Sequence, residues 1–252
     1  MNHFYDCSRN WATLPDPIEN ARMLYKENEF VFVPDIRDHT ANIAEIHYKN
    51  DQITNLGWFE LVSEQYPGVY SKKSTDGVIL FSDGKDTPSV TLGIKVADCW
   101  AITFSYRNKI FWVIHAGWKG VAIGIIEWTL SRLGEIIGPD GLKETSFQIS
   151  PMAISGYEFG KQDFETELLA RCTKNNIDPS DIFKEAWSEG KWVLKLHSLI
   201  VSILRYNGIA NITASPNDTL DATNFWPSHR LFSKGNELKK GRLLAGMSTT
   251  SL

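Results

Sequence analysis

Between Trp100 and Tyr106 large apolar and small side chains alternate, and after a polar break a short apolar run follows to Ile114, a pattern that commits the chain to a β-hairpin. Trp100, Ile102, Phe104 and Tyr106 alternate with Ala101, Thr103 and Ser105, and Ile110 to Ile114 is a second β-branched and aromatic run. Arg107, Asn108 and Lys109 make the turn, with Asn108 the residue that best tolerates positive φ. A two-residue loop at Arg107 and Asn108 sets Trp100 opposite His115, Ile102 opposite Val113 and Phe104 opposite Phe111; a three-residue loop sets Cys99 itself opposite His115. Either register leaves the thiol and the imidazole at one end of the ladder, roughly 5 to 8 Å apart at Cβ. The hydrophobic pairs favour the first, in which Cys99 leaves the strand lattice beside Asp98 to face His115.

The residues after His115 add to this end of the hairpin. Gly117 and Gly120 permit tight backbone geometry around Trp118 and Lys119, and Val121 to Gly138 reads as a helix ended by Gly138 and Pro139. Backbone N–H groups at the start of such a helix, with Lys119 beside them, form an anion site. The plain alternative is a glycine turn with a solvated lysine.

Composition frames what such a site can serve. With 252 residues, 42% of them hydrophobic, the chain can bury a substantial core. A formal net charge of −4 argues against coating nucleic acid. No apolar run approaches a membrane span, and the N-terminus, with Asp6, Arg9 and Asp16, lacks the order of a signal peptide, so a cytoplasmic protein without a membrane partner is expected. Three scattered cysteines, Cys7, Cys99 and Cys172, do not make a disulfide framework. Cys172, inside a helical pattern, reads as buried structure.

Strand-like runs occur at Glu29–Val33, Gly77–Phe81, Thr91–Ala97, Phe147–Ile149 and Trp192–Leu196, besides the hairpin. Helical patterns cover Pro17–Glu27, Asp163–Asn175 and His197–Tyr206, and Asp178, Pro179 and Ser180 supply a cap for a further short helix. Loop-like stretches lie at Thr13–Glu19, Asp83–Pro88 and Ala214–Pro227. Because strands and helices alternate only in part, a mixed sheet with helices outside it is expected rather than a doubly wound fold.

Ala97 to Cys99 (ADC), His115 to Gly120 (HAGWKG) and the spacing between them resemble the signature of the YfiH-like family, known as multicopper polyphenol oxidoreductases or laccases and as purine nucleoside-cleaving enzymes. Thr75, Asp76, Gly77 and Val78 resemble the family's acidic strand entry, Pro151 to Gly160 its tyrosine-glutamate segment, Trp226 to Arg230 an aromatic, serine and arginine run, and Gly241 to Gly246 its last strand. The resemblance covers about residues 45 to 247 of one domain spanning 1–252, with 1–44 divergent. Val96, Ala101 and Lys119 depart from the usual threonine, proline and arginine. The architecture implied is an α/β (α+β) fold, a layered α/β/β/α sandwich with a mixed sheet.

The resemblance also implies one metal, zinc or alternatively copper, held by a cysteine and two histidines. Cys99 and His115 map directly; His47, in Glu45-Ile46-His47-Tyr48, is the best match for the third ligand and His39 its competitor. Such a set leaves a fourth position open, where a bound water has its pKa lowered toward 7. Family precedent suggests phosphorolysis of adenosine, inosine or methylthioadenosine, with purine nucleoside and phosphate as small-molecule partners, or deamination of adenosine. Lys119, the turn Gly117-Trp118-Gly120 and Arg230 are the candidates for holding phosphate or substrate. Asp98 either orients His115 or a ribose hydroxyl, or caps the strand end; Trp118 and Trp100 are candidates for stacking a purine.

Two other readings stand beside this one. A four-copper oxidase needs on the order of ten histidines, and the chain has six, so a laccase-like activity would rest on a single copper. Alternatively Cys99 and His115 form the nucleophile pair of a hydrolase or deamidase, or the domain binds metal without catalysis.

Overall fold

The computed structural model describes residues 2–6, 30–34, 36, 41–49, 52–54, 59–65, 67–83, 89–160, 165–185 and 191–248. In chain order, β1 (Asn2–Asp6), β2 (Phe30–Phe32), β3 (Ile43–Lys49), β4 (Gln52–Thr54), β5 (Glu60–Leu61), β6 (Val69–Ser71), β7 (Gly77–Ser82) and β8 (Val90–Val96) lead to the hairpin strands β9 (Trp100–Tyr106) and β10 (Ile110–Ala116). The helices α1 (Trp118–Ile123) and α2 (Ile125–Glu144) follow, then β11 (Ser146–Ile149), β12 (Tyr157–Gly160), α3 (Glu165–Lys174) and α4 (Pro179–Ile182). The chain continues through β13 (Phe183–Glu185), β14 (Lys191–Leu194), α5 (Leu196–Tyr206), β15 (Asn211–Ala214), α6 (His229–Ser233) and β16 (Leu243–Ser248).

Two mixed sheets stack face to face. One has six strands in the order β1-β16-β8-β2-β6-β5, the other seven in the order β15-β11-β9-β10-β7-β3-β4, and β12, β14 and β13 form a small third sheet. Phe32, Leu92, Ile94 and Ala245 from the first meet Ile46, Leu80, Ala101, Phe111 and Val113 from the second in one core. The opposite face of the seven-stranded sheet, with Trp100, Ile102, Phe104, Trp112 and Ile114, packs under Val121, Ile125, Leu130, Ile200 and Ile203 of the helices. The described layers are thus β/β/α, as expected for a mixed α/β fold; Pro17–Glu27, the pattern expected to supply a further helix, lies outside the described residues.

The loop takes three residues, Arg107 to Lys109, and such a loop sets Ala101 opposite His115, not Cys99 as expected for it nor Trp100 as expected for a two-residue loop. Ala101 pairs with His115, Ile102 with Ile114 and Phe104 with Trp112. Arg107 and Asn108 both adopt positive φ, and Lys109 N–H donates to Tyr106 O at 2.9 Å, so Lys109 is an extra residue before pairing starts. Volume explains the choice. The bulky Trp100, Ile102 and Phe104 join Trp112 and Ile114 on the face under the thick helical layer, while the small Ala101, Thr103 and Ser105 leave room for Phe111 and Val113 against the other sheet.

The helix expected over Val121–Gly138 is instead two. Gly124, at φ 95°, closes α1 and opens α2, and α2 runs past Gly138, which kinks it at φ 73°, to Glu144. Pro139 therefore restarts a turn at the kink, where its missing N–H costs least. Elsewhere the sequence signals hold. Asp178 accepts from Ser180 N–H at 2.9 Å and caps α4. In α5, Leu196, Leu199, Ile200, Ile203 and Leu204 form one buried stripe, each contributing roughly 1.5 to 3 kcal/mol. Cys172 is fully buried, and burial, with Asp178 nearby, pushes its thiol pKa up to about 11.

Candidate active site

His115 lies on the face of β10 turned toward the six-stranded sheet, at the last level before the strand ends. Because Ala101 is its partner, Cys99, two residues earlier, falls on the same side by strand alternation, and the thiol meets the ring without leaving that side. The bend at residues 97–99 between β8 and β9 brings the chain from one sheet to the other at this level. The thiol and the imidazole therefore sit at the open end of the two-sheet sandwich.

Asp76 fixes the ring. Its Oδ1 lies 3.1 Å from His115 Nδ1, its Oδ2 accepts from Ala41 N–H at 2.8 Å, and its carbonyl accepts from His115 N–H at 2.6 Å. Both side chains are almost fully buried. With Nδ1 toward a carboxylate, Nε2 is left for the cleft. Gly117 makes space there: a Cβ on it would come within 2.9 Å of His115 Cε1, 3.1 Å of Nε2 and 3.2 Å of Cys99 Sγ. Burial works to lower the His115 pKa, but the charge of a Cys99 thiolate and hydrogen bonds to Asp76 and Cys99 outweigh it and raise the value to about 9.

Around this pair opens a cleft of about 570 Å³, within the range of small-ligand sites. Asp98, Cys99, His115, Gly117, Trp118, Lys119 and Arg230 all line it, so most of the residues expected from sequence do converge. Lys119 Nζ sits over the Trp118 ring at 5.7 Å, and Arg230 Nη1 donates to Glu158 O at 2.9 Å. Asp98 proves to be a structural clamp: Thr219 Oγ1 donates to it at 2.9 Å and Arg230 N–H at 2.8 Å, and orienting His115 falls to Asp76 instead. Gly120 is buried against Ile125 and does not line the cleft. Trp100 is fully buried, edge-on to His197 at 4.9 Å, which removes it as a stacking surface. The helix start expected at Val121 lies instead at Trp118, after Gly117, so Val121 N–H is spent inside α1 on Gly117 O.

His47 is not at this site. It pairs with Phe81 and stacks on its ring at 5.0 Å. Phe81 faces Ile110 at the turn end of β10, whereas Gly77 faces Ile114 beside His115. Four strand residues separate the two levels, roughly 13 Å at 3.3 Å per residue. His39 lies outside the described residues. Its chain neighbours are at the site, however: Ile36 lines the cleft and Ala41 N–H binds Asp76.

Sequence reasoning missed Asp76 as the partner of His115, although it had singled out the Thr75–Val78 segment. It also missed Lys95, His229, Ser233, Lys234 and Arg242, which line the cleft from β8, α6 and the entry to β16. His229 and Arg242 fall within the Trp226–Arg230 and Gly241–Gly246 segments already singled out, but the tertiary structure is what brings all five to the cleft.

The donor chemistry fits a metal in part. Cys99 and His115 supply a thiolate-type sulfur and an imidazole nitrogen side by side, with the carboxylate behind the histidine that zinc-ligating histidines commonly have. Among the described residues no group of three or more potential ligands is assembled. Cys99 and His115 are therefore the two described residues that would hold it.

A mixed α/β sandwich with a buried Asp76–His115 pair beside Cys99, in a cleft that several cationic side chains line, defines an enzyme-like site. Residues 21–250 match the model of the family described as multi-copper polyphenol oxidoreductase laccase, and the chain belongs to that family. It is 25% identical over 201 residues to purine nucleoside phosphorylase RP494 of Rickettsia prowazekii, which spans 77% of this chain and 80% of that protein. Its fold is similar to the hypothetical protein YfiH of Bacillus licheniformis (TM-score 0.66, 20% identity, 93% of this chain and 79% of that one). It is also similar to YlmD of Geobacillus stearothermophilus (TM-score 0.64, 20% identity, the same coverage). No helix among the described residues is long and apolar enough to cross a membrane.

Proposed function

We propose that the chain cleaves purine nucleosides by phosphorolysis at the Cys99–His115 cleft. The observation that carries this reading is the union of that pair with Lys119, Lys234 and Arg242 in one cleft large enough for a nucleoside and phosphate together. An orthophosphate oxygen attacks ribose C1′, the C1′–N9 bond breaks, and its electron pair leaves with the purine, which takes up a proton. Lys119, with Arg230 across the cleft, holds the phosphate; the Trp118 face offers a stacking surface for the base. A metal bound by Cys99 and His115, with zinc the first candidate and copper the second, would supply a Lewis acid and lower the pKa of a bound water. His39 is our candidate for the third donor, because it is two chain steps from Ala41, a reach of about 7 Å. Deamination of adenosine by the same site is the accompanying activity. The likeness to a protein named purine nucleoside phosphorylase supports this reading.

The direct contact of Cys99 with His115, with two donors among the described residues, favours one second reading: a thiolate–imidazolium pair acting as nucleophile on an acyl or amide substrate. Laccase-type chemistry at four coppers is disfavoured by the supply of six histidines.

The test is metal content together with inosine and adenosine turnover, with and without phosphate, for the wild type and Cys99→Ala. About one zinc per chain, lost in the variant along with phosphate-dependent base release, supports the proposal. A metal-free wild type that is inert toward nucleosides and covalently modified at Cys99 by an activated ester shifts the assignment to the second reading.

A further inference from the structure

His229 lines the same cleft as Cys99, His115 and Trp118, and it is the first residue of α6. Both of its chain neighbours are pinned. Ser228 is fully buried: its N–H donates to Lys239 O at 3.0 Å, and its side chain accepts from Leu231 N–H at 3.1 Å. Arg230 N–H donates to Asp98 Oδ2 at 2.8 Å, while Thr219 Oγ1 donates to the other oxygen of Asp98 at 2.9 Å. Asp98 directly precedes Cys99, so the first turn of α6 is tied to the bend that carries the thiol. His229 therefore keeps a fixed place on the cleft wall.

The ring itself is uncommitted. His229 is exposed, and among the described residues its side chain has no hydrogen-bond partner. No three donors come together around Cys99 and His115 among the described residues, so His229 is not drawn into their set. His115 differs, since Asp76 lies against its Nδ1 and Cys99 hydrogen-bonds to the same ring. Two imidazoles thus line one cleft, one held by its neighbours and one open to a ligand.

Phosphorolysis gives the second imidazole a task. As the C1′–N9 bond breaks, its electron pair spreads over the purine, and N7 is the basic ring atom that can take a proton while N9 is still departing. The side chain suited to giving that proton is one that exchanges protons near neutral pH, which is imidazole. Ammonium and guanidinium, as chemical types, keep their protons far above that range and serve better to hold an anion.

We infer that His229 is the acid of the reaction, its ring N–H giving a proton to purine N7 as the C1′–N9 bond breaks. This rests on the nucleoside reading above and adds a catalytic residue to it. The balance closes: an orthophosphate oxygen forms the bond to C1′ and the C1′–N9 electron pair leaves on the base. The hydrogen phosphate ion, on becoming the ester, gives up through solvent the proton that restores His229.

The test compares inosine with 7-methylinosine, whose base already carries a positive charge and departs without taking up a proton. In His229→Ala, phosphate-dependent turnover of inosine is expected to fall by about 100-fold or more and that of 7-methylinosine far less, so that the ratio of the two rates rises by at least about 30-fold over wild type. Turnover of the methylated nucleoside also reports that the variant is folded. Imidazole added to the variant is expected to raise inosine turnover by about tenfold or more. If both proteins refuse 7-methylinosine, that rescue decides, and its failure overturns the inference. Equal losses on both substrates, or inosine turnover within about threefold of wild type, overturn the inference and leave the proposed function standing. A wild type inert toward both nucleosides in the presence of phosphate overturns the proposed function and the inference with it.

Discussion

Asp76 Oδ1 stands 3.1 Å from His115 Nδ1, both groups buried, so the carboxylate that enters β7 holds the imidazole that ends β10. This contact decides which ring nitrogen faces Cys99. Replacing the carboxylate by an amide keeps the volume but removes the charge behind the ring. Asp76→Asn is expected to weaken zinc affinity by about 10- to 100-fold, read by competition against a chelating dye. An affinity equal to wild type would mean that His115 does not bind metal through Nε2.

Gly117 and Gly120 flank Trp118 and Lys119 but are expected to respond in opposite ways to a methyl group. Gly117→Ala would push a Cβ to within 3.2 Å of Cys99 Sγ and closer still to the His115 ring, so nucleoside turnover should fall by about 100-fold or more. Gly120→Ala meets Ile125 at 3.5 Å, an ordinary contact, and turnover should stay within about threefold of wild type. Steady-state rates with circular dichroism as a fold control decide it.

The two histidine candidates for the third donor separate cleanly. His47 stacks on Phe81 at the far end of the sheet, so His47→Ala should leave metal content unchanged. His39→Ala should lower it to about half or less of wild type after dialysis. The reverse pattern, measured by elemental analysis, would reinstate His47.

Lys239 is fully buried, and its ammonium donates to Asp221 O at 2.6 Å, Asn224 O at 2.9 Å, Asn224 Oδ1 at 2.7 Å and Trp226 O at 3.2 Å. It ties the irregular stretch that leads into α6 and Arg230. Lys239→Met strands those acceptors and is expected to cost about 3 kcal/mol, measured by urea unfolding.

His197 gives the stability a pH dependence. Burial beside Trp100, with Arg205 adding its charge, lowers its pKa from the ordinary 6.5. The unfolded chain therefore takes up this proton at a higher pH than the folded one. The His197 share of stability is complete above pH 6.5 and declines as the pH falls below it. Urea midpoints at pH 7.5 and 5.5 should lie closer together in His197→Gln than in the wild type.

The strands that position the site were legible where β-branched and aromatic residues alternate with small ones or run unbroken for a few residues. β7, β8, β9 and β10 fall within two residues of the expected runs, because β9 alternates large and small side chains while β7 and β10 are short β-branched and aromatic runs buried on both faces. β3 was missed although its burial alternates from Ile43 to Lys49, since Glu45, His47 and Lys49 make the run look polar. The break at Gly124 was missed because the apolar helical pattern continues across it, and only its left-handed backbone ends α1.

By itself the sequence determined the hairpin, the mixed α/β class and the adjacency of Cys99 and His115, since all three follow from local alternation and from two short motifs. The tertiary structure decided the register, through the volumes of the two faces of β9 and β10, and with it the side of the sheet on which the thiol lies. It also decided that Asp76 rather than Asp98 holds the imidazole, that His47 stands apart, and that Lys95, Lys234 and Arg242 join Lys119. Those relations join residues distant in the chain, and they exist only because two sheets close over one core and leave their open ends facing the same cleft.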